Sequence, residues 1–132
     1  MEMKDPIKEA QRYIDNAKTL LKEKAILNTE TRSYEDSKYV KLAGHALWTG
    51  AIIALKYSLN LKLKPRQRID ISFIKEAASK RNKTLLKHIV NQYQSAHLDM
   101  GYDGSKSVGN AKDAIYYTQE IVNWCAENRP QA

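Results

Sequence analysis

An arginine and a histidine stand seven positions apart in the stretch RNKTLLKH, residues 81 to 88, and an asparagine follows the arginine directly. Arg81, Asn82 and His88 are residue types that can work on a phosphodiester. An imidazole can move the proton of a 2′-hydroxyl or a leaving group. A guanidinium can steady the negative charge that gathers on phosphorus, and an asparagine amide can orient the phosphate. If residues 81 to 88 form one continuous helix, Arg81 and His88 lie within about 20° of the same face and roughly 10 Å apart along the axis. A single phosphate barely bridges them, so a composite site made by a two-fold dimer is the more workable arrangement. The structural alternative is that His88 packs on the helix surface between Leu85 and Ile89, while Arg81 caps or pairs locally.

Other residues offer less chemistry. His97 follows Tyr93 by one helical turn and precedes Gly101 and Gly104, which places it to hydrogen-bond loop backbone and hold a tight turn against the bundle. His45, beside Trp48, reads as an interface or core histidine. Cys125 falls on an apolar helix face, where a cysteine behaves as a small hydrophobe. No Cys/His set has zinc-like spacing, and Asp99 and Asp103 do not follow the calcium-loop pattern, so no metal is expected. GYDGSKSVGN has neither the P-loop order nor a preceding strand, so no nucleotide cofactor is expected. Tyr116 and Tyr117 read as bundle packing.

The chain of 132 residues, 42% of them apolar, is long enough for one domain with its own core, read here as spanning 1–132. One cysteine excludes an internal disulfide and suits a reducing compartment. The opening MEMKDPIKEAQRYIDN lacks the apolar core of a secretory signal, so a cytoplasmic, unprocessed protein is expected. The longest uncharged run, Leu42 to Leu55, has 14 residues. That is short of the roughly 20 a membrane-crossing helix needs, and no membrane partner is expected.

The net charge of +7 is concentrated. Between Lys56 and Lys87 ten basic residues face two acidic ones, a balance of +8, and the rest of the chain nets −1. A nucleic-acid-binding role would use Lys62, Lys64, Arg66, Arg68, Lys83 and Lys87. It requires that they share one connected face, and a solvated lysine-rich surface is the plainer reading.

Helical periodicity accounts for most of the chain. Asp5 caps a helix with Pro6 at its first position, and Ile7, Ala10, Ile14, Ala17 and Leu21 form its stripe to near Leu27. Asn28 to Ser37 reads as a loop. A second helix, Ser37 to Leu59, is apolar on two faces: Val40, Ala43, Leu47, Ala51, Ala54 and Ser58 on one, Trp48, Ile52, Leu55 and Leu59 on the other. Its small residues suit a central, closely packed helix. The surplus face predicts a homodimer. Pro65 breaks a basic connector. From Ile71 to about Leu98 the stripe is interrupted at SKRNK, so this region is one helix or two. Met100 to Asn110 reads as a loop, and a last helix is capped by Asn110 with Asp113 in its first turn. No segment alternates as a strand. Trp48, Leu47, Ala51, Ile89 and Ile121 are expected in the core.

This order of elements, with the central helix YVKLAGHALWTGAIIALKYSL and an Arg/His-bearing helix after a charged connector, resembles the HEPN superfamily. The resemblance implies an all-α, antiparallel four- to five-helix up-and-down bundle that dimerises. It also implies an RNase signature of an arginine and a histidine with four to six residues between them, often with a polar residue after the arginine, which Arg81, Asn82 and His88 match at its longest spacing. YQSAHLDMGYDG is similar instead to small HEPN-like proteins of unknown function. The favoured expectation is a non-catalytic interaction or scaffold protein acting as a dimer, with a protein partner. A metal-independent endoribonuclease of toxin–antitoxin or defence type and a non-catalytic RNA-binding accessory protein are the alternatives.

Overall fold

The computed structural model describes residues 5–62, 64–66 and 69–130. Five helices form an all-α bundle: α1 (Pro6–Glu23), α2 (Ser37–Ser58), α3 (Ile71–Ser79), α4 (Lys83–Gln92) and α5 (Val108–Glu127). A ten-residue π-helical segment, Tyr93–Tyr102, continues α4. Helix α2 lies at the centre and packs against α1, α5 and the π-helical segment, while α4 packs on α5.

Each helix begins where a side chain can accept the orphan N–H groups of its first turn. The Asp5 carboxylate accepts from the Ile7 N–H at 2.9 Å and Asp36 from Lys38 at 3.1 Å. Asp70 accepts from Phe73 at 2.8 Å and Asn82 from Leu85 at 3.0 Å. The last helix is capped three residues before the expected Asn110. Ser107 is its cap, and its hydroxyl accepts from the Asn110 N–H. Asn110 turns its own amide to the Ser95 carbonyl instead.

The ends of α1 and α2 are set by left-handed residues. Ile26, at φ 59°, stops α1 four residues before the expected Leu27. Asn60, at φ 50°, closes α2, and the Leu61 N–H reaches back to the Lys56 carbonyl. Between α1 and α2, where a loop and no strand was expected, two short strands pair antiparallel: β1 (Leu27–Asn28) and β2 (Ser33–Tyr34), with Leu27 opposite Tyr34. Asn28 closes the turn by accepting from the Glu30 and Thr31 N–H groups. The hairpin is tied to the start of α5: Tyr34 donates to the Lys106 carbonyl at 2.8 Å, and Val108 to that of Arg32 at 3.3 Å.

The expected stripe of α1 is buried in full, as are Leu47, Ala51, Ile89 and Ile121. Trp48 is only partly buried. The face it shares with Ile52, Leu55 and Leu59 is covered within the chain, with Leu55 fully buried and the other three packed against the core. Gly44 explains how α2 comes so close to the π-helical segment. A Cβ there would sit 2.6 Å from both the Ala96 carbonyl oxygen and the Gly101 nitrogen, so only hydrogen fits. The buried Gln92 amide donates to the Thr118 hydroxyl at 3.0 Å, joining α4 to α5 through the core.

Candidate functional site

Arg81 and His88 do not share a continuous helix. Helix α3 ends at Ser79, the Arg81 and Asn82 N–H groups both turn back to the Ala78 carbonyl, and α4 starts at Lys83. Asn82 caps α4 with its side-chain oxygen, which accounts for a polar residue after Arg81 without a phosphate. Arg81 and His88 nevertheless meet at a third residue. The Arg81 guanidinium lies over the Trp124 ring, 5.8 Å from its centroid. Trp124 in turn lines a cleft of about 220 Å³ together with His88, Thr84, Asn123, Glu120 and Glu127.

His88 is half-buried at the α4–α5 seam. Its ring lies 6.0 Å from that of Tyr117 and 6.4 Å from that of Tyr116, and its buried Nδ1 has no hydrogen-bond partner. Tyr116 is 55% exposed, so it is not the packing residue it was expected to be. The charge around the cleft decides its chemistry. Arg81 and His88 could attract a phosphate, but Glu120 and Glu127 line the same small space and repel one. Trp124 had no sequence signal, because nothing in the spacing relates position 124 to position 81.

The basic positions fall on separate elements. Lys62, Lys64 and Arg66 are exposed on the connector after α2, and Lys83 and Lys87 are exposed one turn apart on α4. Arg68 lies outside the described residues. Lys80 is engaged with Glu76 at 3.7 Å.

His97 stands in an aromatic cluster that joins α2 to the π-helical segment. Its ring stacks on Tyr93 at 5.0 Å, lies 4.9 Å from Trp48 and 6.3 Å from Tyr102. Trp48 and Tyr93 meet edge-on at 5.3 Å. The backbone hydrogen bond expected of His97 is not made at Nδ1, which is buried without a partner. Burial holds this imidazole below its ordinary pKa, and the neighbouring His45 adds to the effect. Gly101 and Gly104 have different tasks. Gly101 is buried inside the π-helical segment, where a Cβ would come 3.4 Å from the His45 ring. Gly104 makes the turn, at φ 65°, and its carbonyl accepts from the Ser37 hydroxyl at 3.0 Å.

Cys125 is fully buried, and burial pushes its thiol up to about 12, so almost no thiolate forms near neutral pH. Among the described residues no group of three or more His, Cys, Asp or Glu side chains could hold a metal ion, and no helix is long and apolar enough to cross a membrane.

Residues 5–127 match a family described as a domain of unknown function, DUF5618. A solved structure with the same fold is a protein of unknown function from Dyadobacter fermentans. It is 31% identical, with a TM-score of 0.87, over 96% of this chain and 98% of that one. No curated protein matches the chain.

Proposed function

We propose that this chain, which belongs to the DUF5618 family of domains of unknown function, is a HEPN-like, non-catalytic interaction protein that works as a homodimer. The observation that carries the reading is the outward side of α2. Leu55 is buried by the chain itself, whereas on another side of α2 Leu42, Ala46, Thr49 and Ile53 recur at helical spacing, Leu42 exposed and the other three half-buried, with no charge from Leu42 to Leu55. Leu42 is 44% exposed, and Ile53 opens onto a shallow hollow of about 330 Å³ bounded by Pro6, Lys56, Tyr57 and Leu61, so the first charge stands at its edge. A charge-free helix face of this kind is unusual on a soluble monomer and suits a two-fold contact. Light scattering tests it: the wild type should have the mass of a dimer, and Ile53→Glu that of a folded monomer. A monomeric wild type overturns the reading.

A metal-independent endoribonuclease is the second reading, favoured by the meeting of Arg81 and His88 around Trp124. Cleavage of a labelled RNA in the presence of chelator, abolished by His88→Ala, would replace the first reading with this one. Salt-dependent RNA binding without cleavage, weakened by reversing Lys83 and Lys87, would favour the accessory RNA-binding role.

A further inference from the structure

The surface where the β1–β2 hairpin meets α1 and α5 carries two adjoining clefts of about 310 and 420 Å³, and both are lined by Leu27 and Lys112. The floor is apolar, made by Leu21 from α1, Leu27 and Tyr34 from the hairpin and Ile115 from α5. The walls are cationic: Lys18 and Lys22 stand on α1, Arg32 on the hairpin and Lys112 on α5. Among the described residues no carboxylate lines either cleft. None of these four cations makes an ion pair with a described residue, whereas Arg12, Lys80 and Arg129 all do.

From this arrangement we infer that the groove between α1, the hairpin and α5 is a docking site for an acidic amphipathic peptide segment of a partner protein, with leucine-like side chains on the floor and aspartate or glutamate flanks against Lys18, Lys22, Arg32 and Lys112. Charge complementarity selects the sign of the partner, and the recessed aliphatic floor selects its class. Single-stranded nucleic acid is held by aromatic stacking platforms, and among the described residues Tyr34 is the only aromatic one lining the two clefts. A membrane surface calls for a continuous protruding apolar face, and here Leu27 is exposed but Leu21 is buried and Ile115 half-buried between the lysines. An apolar face flanked by carboxylates fits both features in the manner of a helix laid in a groove.

The rim of the groove is held in shape by backbone: the Val108 N–H is taken by the Arg32 carbonyl, and the Asn110 N–H by the Ser107 hydroxyl, so these two N–H groups at the start of α5 are already engaged. Leu27 is 50% exposed, as expected of a floor residue awaiting a partner. The site uses none of the α2 stripe and stands whether or not the chain dimerises.

The test is fluorescence anisotropy of the full chain with a labelled synthetic helix that places leucines on one face and glutamates on the other. Saturable, salt-sensitive binding is expected. The exposed double reversal Lys18→Glu/Lys112→Glu should weaken it by about tenfold, and Leu27→Ser by about fivefold. The reversal Lys56→Glu/Lys75→Glu, on α2 and α3, should leave it unchanged. Circular dichroism establishes that each variant is folded. The inference is overturned if the peptide does not bind, if a glutamate/serine helix of equal charge binds as well, or if the two double reversals weaken binding equally. Tighter binding of single-stranded RNA or of phosphatidylglycerol vesicles would overturn it too.

Discussion

Two histidines in this bundle share an unusual feature and differ in everything around it. His88 and His97 each have a buried Nδ1 with no hydrogen-bond partner, and each lies among aromatic rings. His88 faces a cleft at the α4–α5 seam, with two carboxylates and an indole that also carries the Arg81 guanidinium. His97 stacks on Tyr93 and leans on Trp48 in a three-ring cluster where α2 meets the π-helical segment, and glycines at 44 and 101 bring the backbones together. A histidine beside charged groups and open space can serve a ligand. One packed among rings serves the fold. The spacing of Arg81 and His88 draws attention to the first histidine, yet the more constrained environment belongs to the second.

The contrast is broken most strongly at Gly44. Gly44→Val places side-chain atoms where the Ala96 carbonyl and Gly101 nitrogen stand, and backbone must move to admit them. Overpacking of this kind should cost about 3 kcal/mol in chemical denaturation. Gly109 provides the matching control. A Cβ there meets only the Ser107 hydroxyl oxygen at 3.7 Å, so Gly109→Ala should be neutral or stabilising.

At the cleft the largest structural effect is expected from Asn82→Ala, which removes the cap of α4 and should cost about 1 kcal/mol. Asn82→Asp and Asn82→Ser should restore most of it. Full stability in the alanine variant would return Asn82 to the list of phosphate-orienting candidates.

A smaller effect distinguishes the histidines by pH. The folded-state pKa of His97 is depressed, so the unfolded chain binds the extra proton more readily than the folded one. The stability linked to His97 is therefore complete above the unfolded value of about 6.5 and declines as pH falls from there through the lower folded value. Denaturation midpoints between about pH 7 and 5 should fall less steeply in His97→Gln than in the wild type. An unchanged slope would show that His97 does not carry it.

Arg81→Ala should have the smallest effect. The guanidinium over Trp124 is solvent-exposed, and a contact of this type contributes about 0.5 kcal/mol. A loss well above 1 kcal/mol would make Arg81 a structural residue.

The helix start at Asp5 was legible because capping chemistry is local: the side chain and the N–H it binds are two residues apart. Asn82 was quoted for its chemistry, and its capping role went unread because the polar run SKRNK hid the break between α3 and α4. The π-helical segment was illegible for a related reason. Tyr93, Ala96, His97 and Met100 keep ordinary helical spacing, and the change to a wider turn comes from the close approach of α2, not from residue type. The hairpin, two residues per strand, is too short for alternation to show, and hydrogen bonds to Lys106 and from Val108 hold it in place.

By itself the amino-acid sequence determined an all-α bundle, its buried stripes and a central helix rich in small residues, because periodicity and capping act within a few residues of chain. Which side chains become neighbours across the bundle was decided only in three dimensions. Arg81 reached Trp124, His97 joined Trp48, and Lys18, Arg32 and Lys112 gathered around one apolar floor. Those meetings depend on how far each helix is rotated and where α1 stops, and both are set by packing between elements distant in the chain.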